Sequence, residues 1–135
     1  MFLLDTCVLS EGRKPDPSAS VDTWFSVQKQ GDLFLSAVSA GEIRYGIDRL
    51  PRGRKRTSLA EWFEETVLIG FAGRIVAFDL ASAICWGDLR AEHPDARTVD
   101  SQIAATAIAH GLTLVTRNVK DFRFGNLSLF NPWGS

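Results

Sequence analysis

The stretch from residue 98 to residue 121 constrains the fold of this chain more than any other. Apolar residues recur at helical spacing from Val99 to Ala107, and Gly111 follows at the position where a left-handed residue ends a helix. Residues 112–115 then form a short apolar run, typical of a strand that is covered on both faces. A buried helix followed at once by a buried strand predicts an α/β fold with a parallel sheet.

The same stretch places polar side chains where they can meet. Asp100 lies in the first turn of the predicted helix, and Thr116, Asn118 and Asp121 follow the predicted strand. Open α/β sheets bind their ligands beyond the carboxyl ends of the strands. We therefore expect one helix and one strand to bring two carboxylates and a hydroxyl together at that edge.

Short apolar runs alternate with helical segments along the rest of the chain. We predict helices capped by Ser20, Ser39 and Asp79, and we predict strands at residues 2–4, 33–35, 75–78, 112–115 and 127–130. This alternation predicts one domain over residues 1–135, with a three-layer α/β/α fold and a mostly parallel sheet of roughly five strands.

Composition excludes several classes of protein. The chain has 135 residues, of which 45% are hydrophobic and 23% charged, as in ordinary soluble domains. The net charge of -1 lacks the basic balance of many nucleic-acid binders, so any such role must depend on local charge. We expect Cys7 and Cys85 to be reduced thiols. A start without a basic segment, and the lack of a long apolar run, predict a cytoplasmic protein that contacts no membrane.

Two further acidic residues are predicted at the same edge of the sheet. Asp5 follows the first strand, where it could also cap the next short helix together with Thr6. Glu42 follows the second strand, and Ser39 to Glu42 also fits a capping box, in which the glutamate closes back on the serine N–H. Because both positions lie just beyond strand ends, we favour the site interpretation for each.

Four carboxylates would therefore converge, from Asp5, Glu42, Asp100 and Asp121. Carboxylates a few ångströms apart raise one another's pKa, so such a cluster implies a cation, and oxygen ligands imply Mg²⁺ or Mn²⁺. An ion of this kind activates water for phosphodiester hydrolysis. We expect the hydroxyls of Thr6 and Thr116 to orient the carboxylates, with Asn118 assisting.

The chain has one dense basic run, formed by Arg52, Arg54, Lys55 and Arg56. This run is either a solvated turn between two helices or a rim that contacts RNA phosphates or a protein partner. The helix after it carries Leu59, Trp62, Phe63 and Val67 on one side, and that side could also form a dimer interface.

Four segments carry a resemblance to a known family. Residues 3–10 (LLDTCVLS) resemble the opening of PIN-domain nucleases, and residues 36–46 resemble their second block. Residues 100–107 (DSQIAATA) are similar to their D-x-x-I-A-A-x-A block, and residues 114–122 to their final T-x-N-x-x-D-F motif. Four blocks in the family's order form a specific pattern, although many relatives have a glycine where this chain has residues 92–99.

Among PIN domains, the compact length resembles that of VapC or FitB-like toxins. This resemblance implies an endoribonuclease dependent on Mg²⁺ or Mn²⁺, with metal-site roles for Asp5, Glu42, Asp100 and Asp121. It also implies a homodimer and a small antitoxin that inserts a segment into the acidic site, with operator DNA bound only through the antitoxin.

The alternative is a PIN-like module that binds RNA, or operator DNA through its antitoxin, without cleavage. A haloacid-dehalogenase phosphatase is disfavoured because Cys7 stands where that class needs a second aspartate.

Overall fold

A computed structural model of the chain describes residues 1–134 and contains a five-stranded, fully parallel sheet. The strands stand in the order β3-β2-β1-β4-β5. Their bounds are Phe2–Leu4 (β1), Leu33–Ser36 (β2), Ile75–Val76 (β3), Thr113–Val115 (β4) and Leu129–Phe130 (β5). The predicted strands all exist, but β3, β4 and β5 are shorter than the apolar runs that predicted them.

Within residues 1–134, six α-helices surround this sheet. Their bounds are Thr6–Glu11 (α1), Ala19–Ser26 (α2), Ala37–Asp48 (α3), Arg54–Trp62 (α4), Leu80–Glu92 (α5) and Thr98–Ala109 (α6). A π-helical segment, Phe63–Ile69, continues α4, and short 3₁₀ helices lie at Gln30–Asp32 and Val119–Phe122. Within residues 1–134, no helix combines the length and apolarity needed to cross a membrane.

The sheet is covered on both faces, as the apolar runs predicted. Leu3 and Leu4 are adjacent in β1 and both fully buried, yet they belong to different hydrophobic clusters. Successive side chains of a strand point to opposite faces, so the two clusters lie on opposite sides of the sheet. Leu3 packs in the cluster that contains Ile103 of α6, and Leu4 in the cluster that contains Ile47 of α3. The predicted three-layer α/β/α fold is therefore confirmed.

Two predicted helix starts were wrong. The Oγ atom of Ser36 accepts a hydrogen bond from the N–H of Val38 at 3.0 Å, so the cap of α3 lies three residues before the predicted cap. Ser39 is consequently buried inside the helix, and the capping box proposed for Glu42 does not form. Ser18, rather than Ser20, caps α2 in the same way. In both cases a second serine nearby satisfied the sequence rule equally well.

Two other helix ends match the prediction. Asp79 caps α5 by accepting a hydrogen bond from the N–H of Ser82 at 2.9 Å, and its other carboxylate oxygen lies 3.1 Å from Nε2 of His110. These hydrogen bonds, those from Ser82 first, lower the pKa of Asp79. Gly111 has φ of 65° directly after α6, a conformation that favours glycine. This turn leads the chain straight from α6 into β4.

Candidate active site

The register of the two central strands brings Asp5 next to Thr116. Leu4 pairs with Val115, so the residues that follow the two strands are neighbours, and the N–H of Asp5 donates to the carbonyl of Val115 at 2.9 Å. The hydroxyl of Thr116 then donates to Oδ2 of Asp5 at 2.8 Å. Parallel pairing thus joins two side chains that are 111 positions apart along the chain.

Protein donors fix the Asp5 carboxylate on both oxygens. The N–H of Thr6 donates to Oδ1 at 2.8 Å, while Thr116 holds Oδ2. Thr116 is itself fixed, because its Oγ1 accepts a hydrogen bond from the N–H of Asn118 at 3.1 Å. Asp5 is only 7% exposed and Thr116 is fully buried. The carboxylate is therefore held rigidly at the carboxyl end of the sheet.

Asp100 lies in the first turn of α6 and is half-buried. Its pKa is raised, first by burial and then by the negative charges of Asp5 and Asp121, while Arg97 acts in the opposite direction. Three carboxylates therefore share one electrostatic environment. Their mutual repulsion makes this region favourable for a cation.

A cavity of about 390 Å³ joins the acidic residues, and we call it the acidic cavity. Asp5, Glu42 and Asp100 line it, together with Thr6 and Arg97. Glu42 reaches the cavity because α3 begins directly at the end of β2, the strand beside β1. The structure thus brings three of the four predicted acids to one cavity.

The comparisons with known proteins agree with this geometry. Residues 2–124 match the model of the PIN domain family.

This chain belongs to the PIN domain family.

The PIN domain is 38% identical to VapC ribonuclease Y4jK of Sinorhizobium fredii over 137 residues, which cover 98% of each chain. It is 37% identical to the toxin FitB of Neisseria gonorrhoeae, over 98% of this chain and 99% of that protein. Among solved structures, it superposes on a chain of FitAB bound to an IR36 DNA fragment with a TM-score of 0.89 and 35% identity, covering 100% of this chain and 97% of the other.

Asp121 lies outside the acidic cavity of this PIN domain. It is exposed on the 3₁₀ helix after β4, where it lines a neighbouring cavity with Lys120 and Arg123. Its charge nevertheless acts on Asp100. Among residues 1–134, no three acidic, thiol or imidazole side chains stand close enough to ligate one ion together in this conformation.

The donor set of the PIN domain nonetheless fits a hard divalent cation. The carboxylates of Asp5, Asp100 and Glu42 supply oxygen atoms only. The negative charges of Asp5 and Asp121 raise the pKa of Asp100, and a cation bound there would relieve this repulsion. Neither Glu42 nor Asp121 has a side-chain hydrogen bond or ion pair in the described part of the chain. Both are exposed, so rotation about their side-chain bonds can bring them toward an ion.

The other predicted site residues divide into two groups. Thr6 lines the acidic cavity but holds Asp5 through its backbone N–H, and Asn118 likewise contributes its backbone N–H to Thr116. The basic run at the start of α4 does not line the acidic cavity. Arg52 and Arg56 line a separate cavity of about 570 Å³, and Arg56 pairs with Asp48 at 3.7 Å. Arg54 and Lys55 are exposed.

Sequence reasoning missed two residues at the site. The Sγ atom of Cys7 lies 3.6 Å from Oδ2 of Asp5 and 3.7 Å from Oγ1 of Thr116, and burial raises the pKa of its thiol. A single cysteine carries no sequence motif that predicts this contact. The position of Cys7 two residues after Asp5 does, however, place it near the end of β1. Arg97 lies immediately before α6 and lines the acidic cavity. Its position three residues before Asp100 could have indicated that the two side chains lie near each other.

Proposed function

We propose that this PIN domain is a metal-dependent endoribonuclease and the toxin of a toxin-antitoxin pair. The observation that carries the proposal is the acidic cavity, which is lined by Asp5 at the end of β1, Glu42 of α3 and Asp100 of α6. The similarity to a VapC ribonuclease and to the toxin FitB over nearly the whole chain supports it.

Asp5, Glu42 and Asp100 would hold Mg²⁺ or Mn²⁺, with Asp121 as a further ligand. When bound, such an ion supplies activation of water and neutralisation of phosphodiester charge. The chain's own residues supply rigidity: Thr116 and the N–H of Thr6 keep the Asp5 carboxylate in one orientation. In the net reaction, water adds to phosphorus and one P–O ester bond breaks, which leaves one phosphate end and one hydroxyl end.

The proposed partners follow from the relatives. We expect RNA as substrate and a small antitoxin as inhibitor, with operator DNA contacted through the antitoxin, since a similar chain was solved in FitAB bound to DNA. We also expect a homodimer, because Leu80 and Ile84 lie one turn apart on α5 and are 75% and 60% exposed. A cytoplasmic location accords with the free thiols of Cys7 and Cys85.

The basic run is proposed as a contact for RNA phosphates or a partner. Arg54 and Lys55 are exposed at the start of α4, and Arg52 and Arg56 of the same run line the cavity of about 570 Å³. These side chains would bind phosphates of the RNA backbone outside the acidic cavity.

The first test is cleavage by the purified protein, freed of any antitoxin. We expect it to cleave RNA from a panel of transfer and ribosomal RNAs in Mn²⁺ or Mg²⁺ and to stop when EDTA is added, because the acidic cavity needs a cation. Gel analysis with sequencing of the cut ends measures this outcome. Intact RNA in both metals, from protein with a normal unfolding transition, would instead support a binding module without cleavage.

A further inference from the structure

A further cavity, of about 360 Å³, lies beside the acidic cavity, between α3 and α4. Its apolar wall is formed by Ile47, Leu59 and Trp62, and we call it the Trp62 groove. Thr6 and Glu42 line both this groove and the acidic cavity, so the two are adjacent. A volume above about 300 Å³ is typical of sites for small ligands.

We propose that the Trp62 groove binds a nucleobase of the RNA substrate, next to the phosphodiester that the acidic cavity receives. The inference rests on the proposed ribonuclease function, because it places one nucleotide beside the bond that is cut. The acidic cavity accounts only for the reaction at the phosphodiester, and the Trp62 groove would add a subsite for the neighbouring base.

The first argument is the chemistry of the groove. Trp62 is half-buried, so it keeps exposed surface in the groove, and proteins that bind single-stranded nucleic acid stack bases on such aromatic rings. The guanidinium of Arg13 lies over the same ring, 5.3 Å from its centroid. Arg13 does not line the groove, so a base would contact the part of the Trp62 ring that does, while the guanidinium adds positive charge near a bound phosphate.

The second argument is the charge along α4. Its first turn carries the exposed Arg54 and Lys55, and later turns of the same helix contribute Leu59 and Trp62 to the groove. A strand with a base in the groove therefore has cations on the same helix available for its phosphates. This arrangement of basic and aromatic side chains favours RNA over an apolar protein segment as occupant.

The third argument is the glycine in the groove. Gly46 lies inside α3, where glycine costs roughly 1 kcal/mol relative to alanine. A Cβ atom built on Gly46 would have no heavy atom within 4 Å, so packing does not require glycine there. Because glycine has no side chain, this position leaves the groove open.

Filling the groove through Gly46 gives a test that does not threaten the fold. Gly46→Leu adds a side chain to the groove, and Gly46→Ala adds one methyl group as a graded second variant. Gly41→Leu is the matched control, since Gly41 lies in the same helix, is exposed, also has no heavy atom within 4 Å of a built Cβ, and does not line the groove. All three variants should keep or raise the unfolding temperature, because they remove a helical glycine.

Binding is measured without turnover, in EDTA, by fluorescence anisotropy. The probes are a labelled, mixed-sequence 12-nucleotide RNA and an abasic oligomer of equal length. We expect wild-type protein to prefer the RNA with bases by roughly 10-fold, which is within the range of one base stacked on an aromatic residue. Gly46→Leu should reduce this preference to less than about twofold, while Gly41→Leu should keep it.

The outcomes separate this inference from the proposed function. An unchanged preference in Gly46→Leu, with RNA still cleaved in Mn²⁺, would overturn the nucleobase site and assign the groove to a protein segment. A preference lost in Gly46→Leu, with no cleavage by wild-type protein in either metal, would support the base site and overturn the nuclease function instead.

Discussion

The Asp100→Asn variant should lose at least about 10³-fold in RNA cleavage, since a metal site contributes several kcal/mol and each 1.36 kcal/mol is a factor of ten. Asparagine has the shape of aspartate but no charge, so it is a weaker ligand for Mg²⁺ or Mn²⁺. The first turn of α6 should be unaffected, because Asp100 does not cap the helix. Initial rates in Mn²⁺ on one cleaved RNA measure the effect.

The same variant should not be less stable than wild-type protein without metal. Burial and the charges of Asp5 and Asp121 raise the pKa of Asp100, so its ionised form opposes folding. This penalty is fully present above the raised pKa of the folded state and disappears as the pH falls below the unfolded-state value. The unfolding temperature of Asp100→Asn should therefore equal or exceed that of wild type at pH 7, and any difference should shrink on acidification.

Asp79→Asn is the matched control for this change. Asp79 is also a carboxylate beside a helix start, but it caps α5 and pairs with His110 outside the acidic cavity. Asparagine can still accept the hydrogen bond from the N–H of Ser82. Cleavage should be kept, with a small loss of stability as the contact with His110 weakens. Equal cleavage by Asp100→Asn and wild type would show that the acidic cavity has been misassigned.

The largest effect on stability is expected at Arg74, where Arg74→Met should lower the free energy of unfolding by about 3–5 kcal/mol. Its guanidinium donates to the carbonyl of Gln30 at 2.8 Å, to that of Leu33 at 2.6 Å, and to that of Gly70. These bonds tie the start of β2 to the end of the π-helical segment. Methionine keeps an apolar side chain of similar length, but it removes the guanidinium that lies 4.8 Å from the ring centroid of Phe71 and leaves the carbonyls without their charged donor.

Chemical denaturation measures this loss, with Arg90→Met as its control. Arg90 also lies over an aromatic ring, that of Trp86 at 4.8 Å, but it is exposed on α5. Its replacement should cost less than about 1 kcal/mol. If both variants unfold at the same denaturant concentration, the three carbonyl contacts of Arg74 do not stabilise the fold.

Patterns confined to one segment were predictable from the sequence. The apolar runs predicted all five strands, Gly111 predicted the end of α6, and Asp79 predicted the start of α5. Helix starts were less certain, because Ser36 and Ser39 both satisfy the capping rule. Both are buried, and only Ser36 accepts the hydrogen bond from the N–H of Val38 that marks the start of α3. Strand bounds were overestimated because apolar residues such as Ala77, Phe78 and Leu112 can flank a strand without joining its ladder.

Features that depend on pairing between distant segments were predictable only in part: the sequence predicts that Thr116 orients a carboxylate, but not which one. The order of the strands and their register decide that Thr116 bonds Asp5, while Asp121 lies outside the acidic cavity. The contact of Cys7 with Thr116 has the same origin. The π-helical turn ends at Gly70, where a Cβ atom would approach the carbonyl oxygen of Thr66 to 2.2 Å, and this constraint leaves no periodic signal in the sequence.

Mn²⁺ binding, followed by electron paramagnetic resonance, tests most directly whether the acidic cavity holds a divalent cation. Wild-type protein and Asp79→Asn should bind Mn²⁺ alike, while Asp5→Asn and Asp100→Asn should each bind it at least about tenfold more weakly. Mn²⁺ bound equally well by all four proteins would contradict the account, because the ion would then be held by residues other than those that line the acidic cavity.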